Sequence, residues 1–205
     1  MPDKETVRIE AFSDGVFAIA VTLLILEIRL PHTPEGATNG DVWRALLHLW
    51  PSYLAFVLSF GTILVMWINH HELFRLVRTS DRRFMFANGF VLMVVTFVNF
   101  PTAVLADHLN RPGAGACVAA SFYCGTYVII SISYALLLRT AIPNMPQEFR
   151  DGPHSPLHRI RAAYVMGFVV YCTATIVAIF APYVGVAICS ALLVLWTVLN
   201  YGPGR

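Results

Sequence analysis

The sequence predicts an all-α integral membrane protein, and composition, apolar runs and charge placement all point to it. The 205 residues are 57% hydrophobic and only 13% charged, and the mean hydropathy is +0.65. Soluble domains carry about 25% charged residues, so this composition leaves no room for a large soluble domain. Six apolar runs have roughly the 20 residues that a membrane-spanning helix needs. We therefore expect a single transmembrane domain over residues 1–205, with six transmembrane helices per subunit.

The six predicted helices are separated by segments rich in proline, glycine or charge. They cover approximately residues 8–30, 43–69, 84–106, 114–138, 160–181 and 184–201. Pro51 lies inside the second run and removes a backbone donor, which predicts a kink there or a short interfacial helix before it. The segment Asn99-Phe-Pro-Thr102 predicts a local break in the third helix for the same reason.

The placement of lysine and arginine predicts the orientation in the membrane. With six spans, 11 of the 14 Lys and Arg residues lie on one side, and only Arg29, Arg44 and Arg111 lie on the other. Positive residues concentrate in cytoplasmic loops. We therefore expect a multi-pass protein of the cell (plasma) membrane with both termini in the cytoplasm.

Several function classes find no support in the sequence. The formal net charge of +2 is too small to indicate a nucleic-acid partner. The four cysteines form no C-x-x-C or Cys/His cluster, so we expect no metal site and no cofactor. There is no P-loop. The carbonyl filter sequence T-V-G-Y-G of potassium channels is also missing, so we expect no re-entrant filter loop.

The first helix contains the most informative pattern. Asp14 and Glu27 bracket an uncharged apolar stretch, and charged groups near hydrocarbon usually pair or face a polar path. At about 100° per residue, two stripes share neighbouring faces. One stripe consists of large apolar side chains: Ile19, Leu23, Leu26 and Leu30. The other consists of small side chains: Ala11, Gly15, Ala18 and Thr22. The large stripe fits packing against lipid, and it also fits a hydrophobic ring that lines a pore.

Asp14 needs a hydrogen-bond donor if it is buried. The candidate donors on other helices are His70, His71 and Asn88. The two histidines also fit an interfacial position at a cytoplasmic helix end, so both interpretations stay open at this point.

Three ordered motifs resemble the transmembrane protein 175 family, which comprises potassium channels of endolysosomes and prokaryotic membranes. The first motif is Arg8-x-x-x-Phe12-Ser13-Asp14, followed by Ala18-Ile19, Thr22-Leu23-Leu24 and Leu26-Glu27. The second is Trp67-x-x-His70-His71-x-Leu73-Phe74-Arg75, followed by Asp81 and Asn88. The third is Phe97, followed by Phe100-Pro101-Thr102-Ala103 and Leu105. The resemblance extends from Arg8 to Leu105. The chain has Asn99 where the family commonly has a second proline.

The resemblance implies homotetramers of six-span subunits whose first helix lines a central pore. Ile19 would form the narrowest ring, Leu23 and Leu26 further rings, and Thr22 a hydroxyl layer linked to potassium preference. A network that ties the first helix to its neighbours would comprise Arg8, Phe12, Ser13, Asp14, Trp67, His70 and Asn88.

We therefore expect a homotetrameric, potassium-permeable cation channel with a hydrophobic constriction and no enzymatic activity. Glu27 would concentrate cations at the outer mouth, or would pair with Arg29 or Arg44. Three alternatives remain. One is a proton-coupled transporter or proton pathway through Asp14 and His70/His71, the second is an intramembrane enzyme using the same groups, and the third is a scaffold without transport.

Overall fold

The computed structural model describes residues 3–29, 31, 35–109, 115–151, 155 and 157–198, and these residues form helices and the turns between them. The described helices are α1 (Lys4–Leu23), α2 (Asn39–His48), α3 (Trp50–Phe74), α4 (Arg82–Phe97), α5 (Asn99–Leu109), α6 (Gly115–Ala141), α7 (Gln147–Asp151), α8 (Leu157–Phe180) and α9 (Pro182–Val198). Short 3₁₀ helices, Leu24–Glu27 and Ile142–Asn144, continue α1 and α6.

Among the residues that the structure describes, five helical segments are long and apolar enough to cross a membrane. They are Lys4–Glu27, Trp50–Phe74, Arg82–His108, Gly115–Asn144 and Leu157–Phe180. The prediction of an all-helical membrane architecture is therefore confirmed for the described residues. The sixth predicted run coincides with the shorter apolar helix Pro182–Thr197. Residues 199–201 of that run, residue 30 of the first run and residue 114 of the fourth run lie outside the residues that the structure describes.

The first helix begins earlier than predicted, because Asp3 caps it. The Asp3 carboxylate accepts a hydrogen bond from the backbone N–H of Thr6 at 2.7 Å, which satisfies a donor that a helix start leaves unpaired. Side-chain and backbone hydrogen bonds from Thr6 hold the pKa of Asp3 below its ordinary value of 3.8. The predicted start at residue 8 was wrong because the apolar pattern, and not the cap, set it.

Two predicted runs are each divided near a proline. The run 43–69 divides at Leu49, so that α2 is the short helix expected before Pro51. The run 84–106 divides at Val98, and α5 begins at Asn99. Pro101 has no backbone N–H and cannot complete the hydrogen bond to the carbonyl of Phe97, which accounts for the break.

The described helices pack around two hydrophobic cores that share α6 and α8. The first core joins α1, α3, α4, α6 and the start of α8, and the second joins α5, α6, α8 and α9. Because Gly185 has no side chain, α9 can approach α8 closely at this position. A Cβ there would lie 2.5 Å from the Cβ of Ala178. α1 contacts α3 and α4 and lies at the edge of the helix bundle.

Candidate functional site

One face of α1 is packed and another is left uncovered by the rest of the chain. The packed face carries Thr6, Ser13, Phe17 and, in the following 3₁₀ helix, Leu24, all at most 2% exposed. The uncovered face is apolar and bulky, with Phe12 66%, Ile19 60%, Leu23 53% and Leu26 71% exposed. The spacing of 7, 4 and 3 residues aligns these four side chains along one stripe.

The smaller residues that flank this stripe are exposed as well. Ala11, Gly15, Ala18 and Thr22 lie on the surface of the subunit. The Thr22 hydroxyl donates to the carbonyl of Ile19 at 3.0 Å, so its oxygen keeps lone pairs for another partner. Between Asp14 and Glu27 the helix therefore presents uncharged side chains with one hydroxyl among them.

Glu27 is exposed at the end of the 3₁₀ helix that follows α1. It lines a recess of about 510 Å³ together with Arg29 and His48. Within the part of the chain that the structure describes, no salt bridge includes Glu27. The Arg44 guanidinium instead pairs with Asp41 at 2.7 Å, so the alternative of a Glu27–Arg44 pair is not realised here.

A buried hydrogen-bond chain joins α1 to α4 and α3. The Asn88 amide donates to the Ser13 hydroxyl at 2.9 Å, and the Ser13 hydroxyl donates to the carbonyl of Ile9 at 2.8 Å. The Asn88 oxygen, which can only accept, lies 2.7 Å from Nε2 of His70. The proton of His70 is therefore on Nε2. Ser13 and His70 are 0% exposed and Asn88 is 3% exposed, so this chain of contacts is shielded from solvent.

Aromatic contacts fix the orientation of the His70 ring. The ring centroid of His70 lies 5.2 Å from that of Phe17 on α1 and 4.3 Å from that of Phe74 on α3. The interfacial interpretation of the two histidines is wrong for His70, because its side chain is fully buried.

A second set of contacts joins the carboxylates of α1 to α3. The Trp67 indole N–H donates to Asp14 at 2.9 Å, and Nδ1 of His71 lies 3.1 Å from the carboxylate of Glu10. The donor to Asp14 is thus Trp67, and not His70, His71 or Asn88 as the sequence suggested. Glu10 was missed, although it precedes Asp14 by four residues and so shares its helix face.

Two residues of the predicted network lie outside these contacts. Arg8 and Phe12 are exposed, and their side chains make no hydrogen bond or salt bridge to any residue that the structure describes. The network within one subunit therefore comprises Ser13, Asp14, Trp67, His70 and Asn88, extended by Glu10 and His71.

The comparisons with known proteins decide the family. A family model described as "Endosomal/lysosomal potassium channel TMEM175" matches residues 8–98. A protein of Chamaesiphon minutus named as a potassium channel is 45% identical over 190 residues, which are 93% of this chain and 92% of that protein. The chain belongs to the TMEM175 family. A protein of Streptomyces collinus, also named as a potassium channel, is 44% identical over 161 residues, which are 78% of this chain and 76% of that protein.

Solved structures of the TMEM175 family have the same fold. A crystal structure of a lysosomal potassium-selective channel TMEM175 homolog from Chamaesiphon minutus superposes with a TM-score of 0.83 at 42% identity, covering 96% of this chain and 98% of that one. The human protein named "Endosomal/lysosomal proton channel TMEM175" is 40% identical over 93 residues, 43% of this chain and 18% of that protein. As a multi-pass membrane protein of an ion-channel family, the chain is not an enzyme.

Proposed function

We propose that this TMEM175 protein is a potassium-permeable cation channel of the plasma membrane in which four subunits place α1 around a central pore. Each subunit would be one domain of residues 1–205 with six spans, α9 being the sixth, no re-entrant filter loop, and both termini in the cytoplasm. The single observation that carries the proposal is the uncovered stripe of Phe12, Ile19, Leu23 and Leu26 on α1. The potassium-channel names of the relatives support the choice of ion.

The attachment of α1 explains how such a helix would be held in place. Ser13, Phe17 and Leu24 are buried against the rest of the subunit, while Asp14 and Glu10 are held by Trp67 and His71 of α3. Both carboxylates are thereby directed to α3. The face of α1 that would surround the pore is left without charge from Phe12 to Leu26.

The chemistry of that face implies the mechanism. Hydrophobic rings restrict ion passage by expelling water, because an ion cannot lose its hydration shell without oxygens to replace it. Four Ile19 side chains would form such a ring, and Leu23 and Leu26 would continue it outward. Potassium would cross partly hydrated when the ring widens. Thr22 would supply the nearest hydroxyls for selectivity, and Glu27 would attract cations to the outer mouth.

A matched pair of variants tests this proposal. Ile19→Asn places an amide in the constriction, and we expect it to raise potassium flux in proteoliposomes and to weaken the preference for potassium over sodium. Ile176→Asn on α8 is the control, because Ile19 and Ile176 are both 60% exposed in the subunit. Equal flux in wild type and Ile19→Asn, in protein shown to be folded and tetrameric, would remove Ile19 from the gate.

Proton permeation is a second candidate function, favoured by the name of the human relative. A relay through Asp14 and the histidines has a geometric difficulty here. Asp14 is bonded to the Trp67 indole, which only donates, and His70 is bonded to Asn88. Protons would thus more readily use the pore than this network. A steep pH dependence of flux that disappears in Asp14→Asn, with the tetramer intact, would instead support the relay.

A further inference from the structure

Charged residues are concentrated at the end of the bundle where α1 begins. The backbone N–H of Asp3 donates to the carbonyl of Arg78, and the N–H of Arg78 donates to the carbonyl of Asn144, which brings the start of α1 and the turns after α3 and α6 together. At this end α1 and its cap carry both signs of charge: Asp3, Glu5, Glu10 and Asp14 are acidic, and Lys4 and Arg8 are basic. Three other helices carry arginines at the same end: Arg82 and Arg83 on α4, Arg139 on α6, and Arg159 and Arg161 on α8.

These five arginines, which we call the arginine rim, have no carboxylate partner among the residues that the structure describes. All five are exposed, and across the described ranges none forms a salt bridge. Their neighbours behave differently, since Arg75 pairs with Glu72 at 3.0 Å and Arg78 with Glu148 at 3.4 Å. The rim is therefore a band of uncompensated positive charge along α4, α6 and α8.

Each helix of the rim also carries an exposed apolar side chain three or four residues from an arginine. Phe86 follows Arg82 and is 69% exposed, with the Arg82 guanidinium carbon 5.6 Å from its ring centroid. Leu136 precedes Arg139 and is 41% exposed, and Val165 follows Arg161 and is 64% exposed. Side chains at these spacings share a helix face. Arg82, Arg139 and Arg161 thus each lie next to an apolar side chain on the same side of the helix.

This pairing selects one kind of partner. We propose that the arginine rim binds the anionic headgroups of phospholipids whose acyl chains lie on the adjacent apolar side chains. Guanidinium groups form strong paired hydrogen bonds with phosphate oxygens, and long basic side chains extend from apolar surface to the headgroup level. A soluble acidic protein would meet the charges but would leave Phe86, Leu136 and Val165 uncovered.

The test measures which lipids stay with the protein, so it does not depend on channel activity. The full chain is reconstituted in phosphatidylcholine bilayers with a fraction of phosphatidylglycerol, extracted with its bound lipids, and the two lipids are quantified. We expect wild type to be enriched in phosphatidylglycerol. The enrichment should fall roughly fivefold for each arginine removed in Arg82→Gln, Arg139→Gln and Arg161→Gln.

A control variant tests whether the loss of phosphatidylglycerol enrichment comes from the rim positions or from the lower net charge. Arg44→Gln combined with Arg75→Gln and Arg78→Gln removes the same number of charges at positions that are paired in the subunit, and it should keep the enrichment. Raising the salt concentration should weaken the enrichment in wild type by screening, which tests the proposal without any variant. Equal enrichment in rim and control variants, no enrichment in wild type, or equal binding of soluble polyglutamate in place of lipid would overturn the proposal.

Discussion

Asn88→Leu should loosen the attachment of α1, because Asn88 is the middle of the buried hydrogen-bond chain. The substitution removes two hydrogen bonds that join α4 to α1 and α3, at 2.9 and 2.7 Å. Hydrogen bonds between membrane helices contribute about 0.6 kcal/mol on average. The Nε2–H of His70 would also be left buried without an acceptor, which costs about 1–3 kcal/mol. We therefore expect the free energy of unfolding to fall by about 2–4 kcal/mol.

The assay is reversible unfolding of the purified protein in mixed detergent, followed by circular dichroism. Thr96→Leu on the same helix is the control, since Thr96 is exposed and bonds only to the carbonyl of Met93 in its own helix. This variant should stay within about 0.5 kcal/mol of wild type, as surface substitutions usually do.

The double variant gives the decisive comparison. His70→Leu alone leaves the Asn88 oxygen unpaired, whereas His70→Leu with Asn88→Leu removes both members of the pair. We expect the double variant to lose less stability than the sum of the single variants, by about 1 kcal/mol or more, because no polar atom of the pair remains buried and unsatisfied. Additivity within about 0.5 kcal/mol would refute the reasoning, because it would mean that the two side chains act independently.

Three further variants test separate parts of the account. Thr22→Val keeps the side-chain shape and removes the hydroxyl, so the ratio of potassium to sodium flux in proteoliposomes should fall roughly fivefold, the equivalent of one hydrogen bond; an unchanged ratio would exclude the hydroxyl from selectivity. Glu27→Gln should lower potassium flux at low ionic strength and have little effect at high ionic strength, because salt screens the outer charge; a salt-independent loss would point to a structural role instead. Asp3→Ala should speed amide hydrogen exchange at Thr6 at neutral pH. Because the folded pKa of Asp3 lies below 3.8, the carboxylate stabilises α1 above that pH and the stabilisation is lost as the pH falls through the folded value; a difference from wild type that persists in strong acid would contradict this assignment.

The sequence contains enough information for the helices and their breaks. The length of an apolar run is set by the membrane thickness. Pro51 and Pro101 interrupt backbone hydrogen bonding locally, whatever the helices pack against. The start of α1 was also readable, since Asp3 is a favoured N-cap residue and Glu5 follows it in the first turn. Apolar periodicity, which begins later, gave a start at residue 8 instead.

The partners of the polar residues required the structure. Trp67, His70 and His71 are three and four residues apart, so the sequence places all three on one face of α3. Which of them reaches Asp14 depends on the rotation and height of α3 against α1, and these are set by packing around Phe17 and Phe74.

The central claim is that Ile19 faces an aqueous pore, and thiol accessibility tests it most directly. Ile19→Cys is prepared in a background in which Cys117, Cys124, Cys172 and Cys189 are replaced by alanine, with Ile176→Cys as the control of equal exposure. We expect a water-soluble methanethiosulfonate reagent to reduce potassium flux through Ile19→Cys and to leave Ile176→Cys unaffected. An Ile19→Cys protein that conducts potassium and reacts only with membrane-soluble thiol reagents would place Ile19 against lipid and contradict the account.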